Sequence, residues 1–341
     1  MKALTEWLDG EFDFTEAEAA GESTRKIFAS FIGAEADEIA LVPFVSTSAG
    51  MIASQIPEAG PGENILVADC EFSSNYFPWL MLRKKGYEIR TVLTRNGTLS
   101  LRSFEEKADS RTRLIAVSAV QSSSGFRINP EEFSELAHRS GALLFVDACQ
   151  ATGAVPMDVR KDRIDILAVA SHKYLLGARG MGYLFIRREL QEEFRPVIPG
   201  WKAAQNPFNS FYGPLMNLSP TASRFDSSLA WFPALAERAS FELIERIGME
   251  YILQRNGYLS DYLAERLLRS KLAFEAFQQD NRSTIFSIPV RNADKVMHRF
   301  KVKKIVTSLR AGSLRLSLNF YNTEEELKTV VGLLEESETG K

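Results

Sequence analysis

Cysteine occurs only twice in 341 residues, at Cys70 and Cys149. Two thiols cannot build a disulfide framework, and such scarcity fits a reducing compartment, so a cytoplasmic protein is expected. Histidine is nearly as rare. His138, His172 and His298 have no partners at ligand spacing, which argues against a zinc site and leads to the expectation that no metal is bound. No apolar run approaches the roughly 20 residues that a membrane helix requires. The opening "MKALTEWLDGEFDF" is too acidic and too mixed for a signal peptide. Neither sign of charge dominates: 41 basic residues face 44 acidic ones, a net charge of −3. That balance leaves no electrostatic footprint for nucleic acid or an anionic membrane, and neither is expected as a partner. Internal repeats, low-complexity tracts and a P-loop pattern are also missing. "GARGMG" at 177–182 follows a lysine and precedes a strand, whereas a dinucleotide fingerprint follows a strand and opens a helix.

What is present is ordinary globular material, 45% apolar and 25% charged. The length exceeds what one hydrophobic core usually supports, so two domains are expected, at 1–231 and 232–341. Strand-like runs alternate with helical patterns in the first. "NILVAD" (64–69), "YEIRTVL" (87–93), "RLIAVSAV" (113–120), "ALLFVDA" (142–148), "IDILAVA" (164–170) and "MGYLFIR" (181–187) read as strands. "SNYFPWLMLRKKG" (74–86) reads as a helix ended by Gly86. In "NPEEFSELAHRSG" (129–141), Asn129 can cap, Pro130 suits the first turn and Gly141 ends the helix. This alternation predicts an α/β domain with a mostly parallel sheet, and such sheets bind ligands at the carboxyl ends of their strands. The tail predicts a small α+β domain: helix over 232–270, then "TIFSIPV" (284–290), a helical piece near 292–300, "KIVTSL" (304–309), "SLRLSLNF" (313–320) and a closing helix from Thr323. Between the two, 199–224 is rich in Pro, Asn, Ser and aromatic residues and reads as a long irregular connection, either functional or interfacial.

Asp147 ends an apolar strand, where a carboxylate must be paired or hydrogen-bonded. Gln150 follows on the same exit, and Lys173 sits at the end of another apparent strand. Taken alone, Lys173 reads as a surface charge. Taken together, the three put an anion, an amide and an amine on strand ends that can share one sheet edge. That set suits pyridoxal 5′-phosphate, which needs a lysine amine, a carboxylate to keep its ring nitrogen protonated, a donor near its phenolic oxygen, hydroxyls and helix-start N–H groups for its phosphate, and a flat group over the ring.

"FVDACQATGAVPMDV…DILAVASHKYLLGARGMGYLFIRREL" resembles the class V aminotransferase family of pyridoxal-phosphate enzymes, which includes cysteine desulfurases, selenocysteine lyases, kynureninase and isopenicillin N epimerase. The resemblance runs from about residue 22 to 335. It implies an aspartate-aminotransferase-like fold (fold type I) and the following roles. Lys173 is the Schiff-base lysine. Asp147 pairs with the ring nitrogen, and Gln150 faces the phenolic oxygen together with Ser122. His172, Ser171, Ser46 and Thr47 serve the phosphate, Phe72 stacks on the ring, and Arg315 takes the substrate carboxylate with its planar fork.

Departures from the family pattern matter as well. Desulfurases carry a catalytic cysteine on a loop shortly before that arginine, yet 300–314 has none, so transfer through an enzyme persulfide is not expected. Both cysteines are expected to be buried small hydrophobes. Phe72 stands where the desulfurases have a stacking histidine. Leu229 stands where a partner subunit usually offers a threonine to the phosphate, leaving Ser227 or Ser228 as substitutes. Relatives carry a further strand and loop that line the substrate site, and this chain is expected to begin after them. The resemblance implies an amino acid or amine substrate, a homodimer with its site at the interface, and chemistry at Cα. Among β-elimination, transamination and epimerisation, C–S cleavage by elimination is favoured. The alternative from another class is a non-catalytic scaffold.

Overall fold

The computed structural model describes residues 2–95 and 97–338. A short helix, α1 (Lys2–Asp9), leads into α2 (Phe14–Phe31), whose start is capped by Asp13 accepting the N–H of Thr15. The strands of the main sheet follow: β1 (Ile39–Val42), β2 (Asn64–Ala68), β3 (Glu88–Val92), β4 (Thr112–Ser118), β5 (Leu143–Asp147), β6 (Ile166–Ala170) and β7 (Gly182–Ile186). Their spatial order is β1-β7-β6-β5-β4-β2-β3. The pairs from β3 across to β6 are parallel, and β7 runs antiparallel to both its neighbours. The expected mostly parallel sheet is therefore present. β1, the short run "IALV", is not among the expected strands.

Both faces of the sheet are covered, which explains why its strands read as unbroken apolar runs. Along β4, Ile115 and Val117 point into one buried cluster, and Leu114 and Ala116 into the other. The first cluster includes Phe28 of α2, Phe133 and Leu136 of α6 (Pro130–Arg139), and Phe241 and Ile244 of α7 (Trp231–Ile247). The second includes Ala49 and Ile52 of α3 (Val45–Gln55) and the fully buried Trp79. The capping of α6 is as read: the side chain of Asn129 accepts the N–H of Glu131, and Pro130 opens the helix.

The segment 74–86 is not one helix. A 3₁₀ turn at Ser73–Asn75, a single α turn at Phe77–Leu80 and a further 3₁₀ turn at Met81–Lys85 take its place. Pro78 has no N–H to continue a preceding turn and so starts helix rather than extending it. The side chain of Trp79 sinks into the core and its Nε1 donates to Asn75 Oδ1 at 3.3 Å. Gly86 ends the run in the left-handed conformation, as expected.

α7 breaks at Gly248 (φ +90°) from α8 (Met249–Arg269). The later part of α8 packs into a third cluster with β8 (Ile285–Pro289), α9 (Ala293–Val302), β9 (Ser308–Arg310), β10 (Ser313–Ser317) and α10 (Glu324–Glu338). The three strands form an antiparallel sheet ordered β8-β10-β9. β9 is shorter than the expected 304–309. Lys304 (φ +58°) is still closing α9, and the N–H of Ile305 donates back to the carbonyl of Phe300. Because Phe241, Ile244 and Ile252 belong to the large cluster and Leu259 onward to the small one, we propose that the two domains divide within α8. Among the described residues, no helix is long and apolar enough to cross a membrane.

Candidate active site

Four adjacent parallel strands, β2, β4, β5 and β6, release their chains at one sheet edge, and the small domain's hairpin β9–β10 faces that edge. Between them lies a cavity of about 480 Å³. It is lined by Ser46, Phe72, Ser122, Asp147, Gln150, His172, Lys173 and Arg315, the greater part of the expected set, and by Arg179 and Arg310.

Asp147 ends β5 and is almost fully buried. One oxygen, Oδ1, accepts the N–H of Cys149 at 2.9 Å. Burial raises its pKa, opposed by the charge of Lys173 and the hydrogen bond from Cys149. Gln150 is buried beside it. Lys173 and His172 are half-buried on the loop leaving β6. The Nδ1 of His172 is buried without a hydrogen-bond partner, and burial, then Lys173 and Arg179, holds its pKa down. Ser46 lies in the first turn of α3, where free N–H groups favour an anion. Phe72 is exposed at the mouth. Arg315, on β10, donates from Nη1 to the carbonyl of Ser122 at 2.9 Å, while its Nε is buried and unpartnered.

Two expected residues lie elsewhere. Ser171 is fully buried, its one hydroxyl proton shared between Glu237 Oε2 at 2.7 Å and the carbonyl of Met181 at 3.1 Å. Ser171 is not among the residues that line the cavity, and its hydrogen bonds tie the lysine loop to Glu237 and Met181. Thr47 does not line the cavity either. Leu229 packs inward, beside Gly21 and against the large cluster. Cys149 is buried as expected, its sulfur accepting the N–H of Ala170 at 3.0 Å. Cys70 is only half-buried. Burial raises the pKa of both thiols.

Two of the buried carboxyls that escaped the sequence reading brace the site. Glu71, beside Phe72, accepts from the Ser118 N–H (2.8 Å), from the Ser118 hydroxyl, from Gln121 Nε2 (2.6 Å) and from Asn75 Nδ2 (2.8 Å). It fastens the loop after β2 to the end of β4, and burial pushes its pKa up to about 7. Glu237, on α7, accepts from Ser171 and from the Tyr183 hydroxyl (3.1 Å), and burial raises it to about 7 as well. A Cβ on Gly177 would sit 2.0 Å from its Oε2, so a larger residue there would displace the carboxyl from its place beside Ser171. The only signal in the sequence for either was an acidic residue within an apolar context.

The group these residues suit is flat, anionic at one end and basic at a ring nitrogen. A buried carboxylate, an unpartnered imidazole nitrogen, a helix start and an aromatic face fit pyridoxal 5′-phosphate. Fold and site thus define a pyridoxal-phosphate enzyme of fold type I. The chain belongs to the class V aminotransferase family, whose model (Aminotransferase class-V) matches residues 13–330. It is 28% identical over 320 residues to the uncharacterized aminotransferase YcbU of Bacillus subtilis, covering 94% of this chain and 84% of that protein. It is 27% identical over 339 residues to a probable cysteine desulfurase of Methanothermobacter thermautotrophicus, covering 92% and 83%. The structure of a cysteine desulfurase from Thermococcus onnurineus superposes with a TM-score of 0.83 at 26% identity, covering 96% of this chain and 86% of that one.

Proposed function

We propose that the protein uses pyridoxal 5′-phosphate to act at the Cα of an amino acid, and that the reaction is β-elimination of the C–S lyase kind. The observation that carries the first part is that Lys173, Asp147, Gln150 and Arg315, dispersed over the chain, line one cavity. When bound, the cofactor supplies an electron sink for the pair left at Cα. Asp147 would hold the proton of the ring nitrogen, Gln150 and Ser122 would face the phenolic oxygen, Ser46 and His172 would hold the phosphate, and Phe72 would cover the ring. Arg315 would grip the substrate carboxylate. Lys173 would take the proton from Cα.

Elimination is favoured by what the cavity offers. A thiolate departs as an anion without an acid, since thiols ionise near neutral pH. Epimerisation needs a second proton carrier, and Phe72 has no proton to give. Cys149 is the one thiol lining the cavity and is too well buried and too poorly ionised to receive sulfur. The exposed Phe77, Met81, Tyr212, Leu215 and Met216 support a homodimer, as the family resemblance implies.

Purified protein is expected to be yellow. Borohydride should bleach it and fix the cofactor to Lys173, and Lys173→Ala should abolish both. A colourless protein whose cofactor content Lys173→Ala leaves unchanged would overturn the enzyme reading in favour of a scaffold. Incubation with cysteine S-conjugates is expected to release pyruvate without any added keto acid. Strict dependence on a keto acid would replace elimination with transamination.

A further inference from the structure

The cavity holds more positive charge than the reaction above uses. Lys173, Arg179, Arg310 and Arg315 line it, against the single carboxylate of Asp147. Among the described residues, none of the three arginines has an acidic partner, although most other arginines of the chain do. Arg179 lies on the lysine loop within electrostatic reach of His172, and so belongs with the phosphate end. Arg310 lies within electrostatic reach of Arg315. Among the described residues, its side chain makes one hydrogen bond, from Nη1 to the neighbouring carbonyl of Leu309 at 3.1 Å.

The hairpin explains why these two cations share a space. Ser313 pairs with Arg310, Leu314 with Leu309 and Arg315 with Ser308. Alternate pairs point to opposite faces. Leu314 and Leu309 therefore face the small domain's core, while Arg310 and Arg315 lie diagonally on the opposite face, toward the cavity. The connecting turn is only Ala311 and Gly312, both left-handed (φ +47° and +82°). Such a two-residue turn fixes register tightly, and it holds Ala311 where alanine is strained. Arg310 is thus held at a set offset from Arg315. Two guanidinium groups directed into one cavity repel, and a pair of anions spaced to match them relieves that repulsion.

Building on the proposed chemistry at Cα, we infer that the substrate carries a second anionic group on its side chain, and that Arg310 binds it while Arg315 takes the α-carboxylate. Arg310 is then a specificity-determining residue, on the hairpin where the desulfurases' sulfur-carrying cysteine loop lies.

The test titrates cofactor-loaded protein with L-aspartate, L-glutamate, L-asparagine and L-glutamine and follows the absorbance of the bound cofactor. The acids are expected to half-saturate at concentrations at least tenfold below those of the amides, because a paired guanidinium discriminates charge from its neutral isostere. Arg310→Met should raise the half-saturating concentration of the acids at least tenfold and that of the amides less than twofold, and Arg310→Lys should recover part of the loss. Equal half-saturation of acids and amides in the wild type, or equal weakening of both by Arg310→Met, would overturn the inference. Calorimetric titration with succinate against butyrate needs no amine and separates this inference from the cofactor chemistry. If succinate keeps a tenfold preference that Arg310→Met abolishes while no amino acid alters the cofactor absorbance, the anion site stands and the proposed chemistry fails. If succinate has no preference, the anion site fails whatever the cofactor does.

Discussion

Glu237 shows how a single residue outside the cavity can control the group inside it. It receives the Ser171 hydroxyl just before His172 and Lys173, and it fills the space beside Gly177 just after them. One buried carboxyl thereby fixes both ends of the loop that carries the lysine. Its pKa is raised by burial to about 7 from an ordinary 4.5, so it binds its proton more tightly folded than unfolded. The stability it contributes is complete below the ordinary value and is lost as pH rises through about 7. That loss is on the order of 3 kcal/mol at alkaline pH. Glu237→Gln keeps the neutral shape, and its amide can donate to Ser171 while Ser171 donates to the Met181 carbonyl. Melting temperatures of wild type and Glu237→Gln are expected to converge below about pH 4.5, to separate as pH rises from there to about 7, and to keep their full difference above that, with the variant the more stable. A constant difference across that range would show that the carboxyl does not titrate in the folded protein.

Elements, rather than residues, set how the two domains meet. The loop after β4 carries Ser122, whose carbonyl holds Arg315, and the same loop docks on the start of β8 through Gly125. The Gly125 carbonyl accepts the Ser283 hydroxyl at 2.7 Å, and a Cβ at Gly125 would lie 2.1 Å from the carbonyl oxygen of Ile285. With φ at +80° as well, alanine there is both strained and obstructed. Gly125→Ala is expected to cost more than about 2 kcal/mol, read as a lower urea midpoint, because no flexible side-chain tip can move aside. It should also weaken substrate binding, since the loop that steadies Arg315 must shift. An unchanged midpoint would mean that loop and strand separate freely.

At the scale of the molecule, the segment 199–228 joins the sheet to the C-terminal half while remaining largely irregular. It is tied down by buried ion pairs. Lys202, 4% exposed, meets Glu18 at 2.9 Å and Glu22 at 3.3 Å, and Asp226 meets Arg25 at 2.6 Å while accepting the N–H of Leu41. Charges so buried are tolerable only when each is paired, which is the case across this cluster. The same segment turns Tyr212, Leu215 and Met216 outward, at 97%, 91% and 70% exposure. Anchored at its base and apolar at its tip, it is a surface on which the proposed homodimer would form. Leu215→Glu is expected to move the protein from dimer to monomer in sedimentation velocity, with little effect on the melting of the monomer. A wild-type protein that sediments as a monomer while binding its cofactor tightly would count against the dimer.

The sequence by itself determined the sheet class and the family; Asp147, Gln150 and Lys173 stood out because they lie at or just past the ends of apolar runs, and Arg315 only through the family resemblance. It also determined that no cysteine lies on the hairpin before Arg315. Local patterns could not reveal where side chains turn. Ser171 and Lys173 are two residues apart on one loop, yet one faces a buried glutamate and the other the cavity. Pro78 and the burial of Trp79 broke an apparently helical run. Glu71, Glu237 and Arg310 acquired meaning only when elements distant in sequence packed together, since a carboxyl is desolvated, and two guanidinium groups are brought to face one space, by tertiary contacts alone. The sequence thus decided the family and its cofactor, and the packing of the small domain against the sheet decided which charges share the cavity.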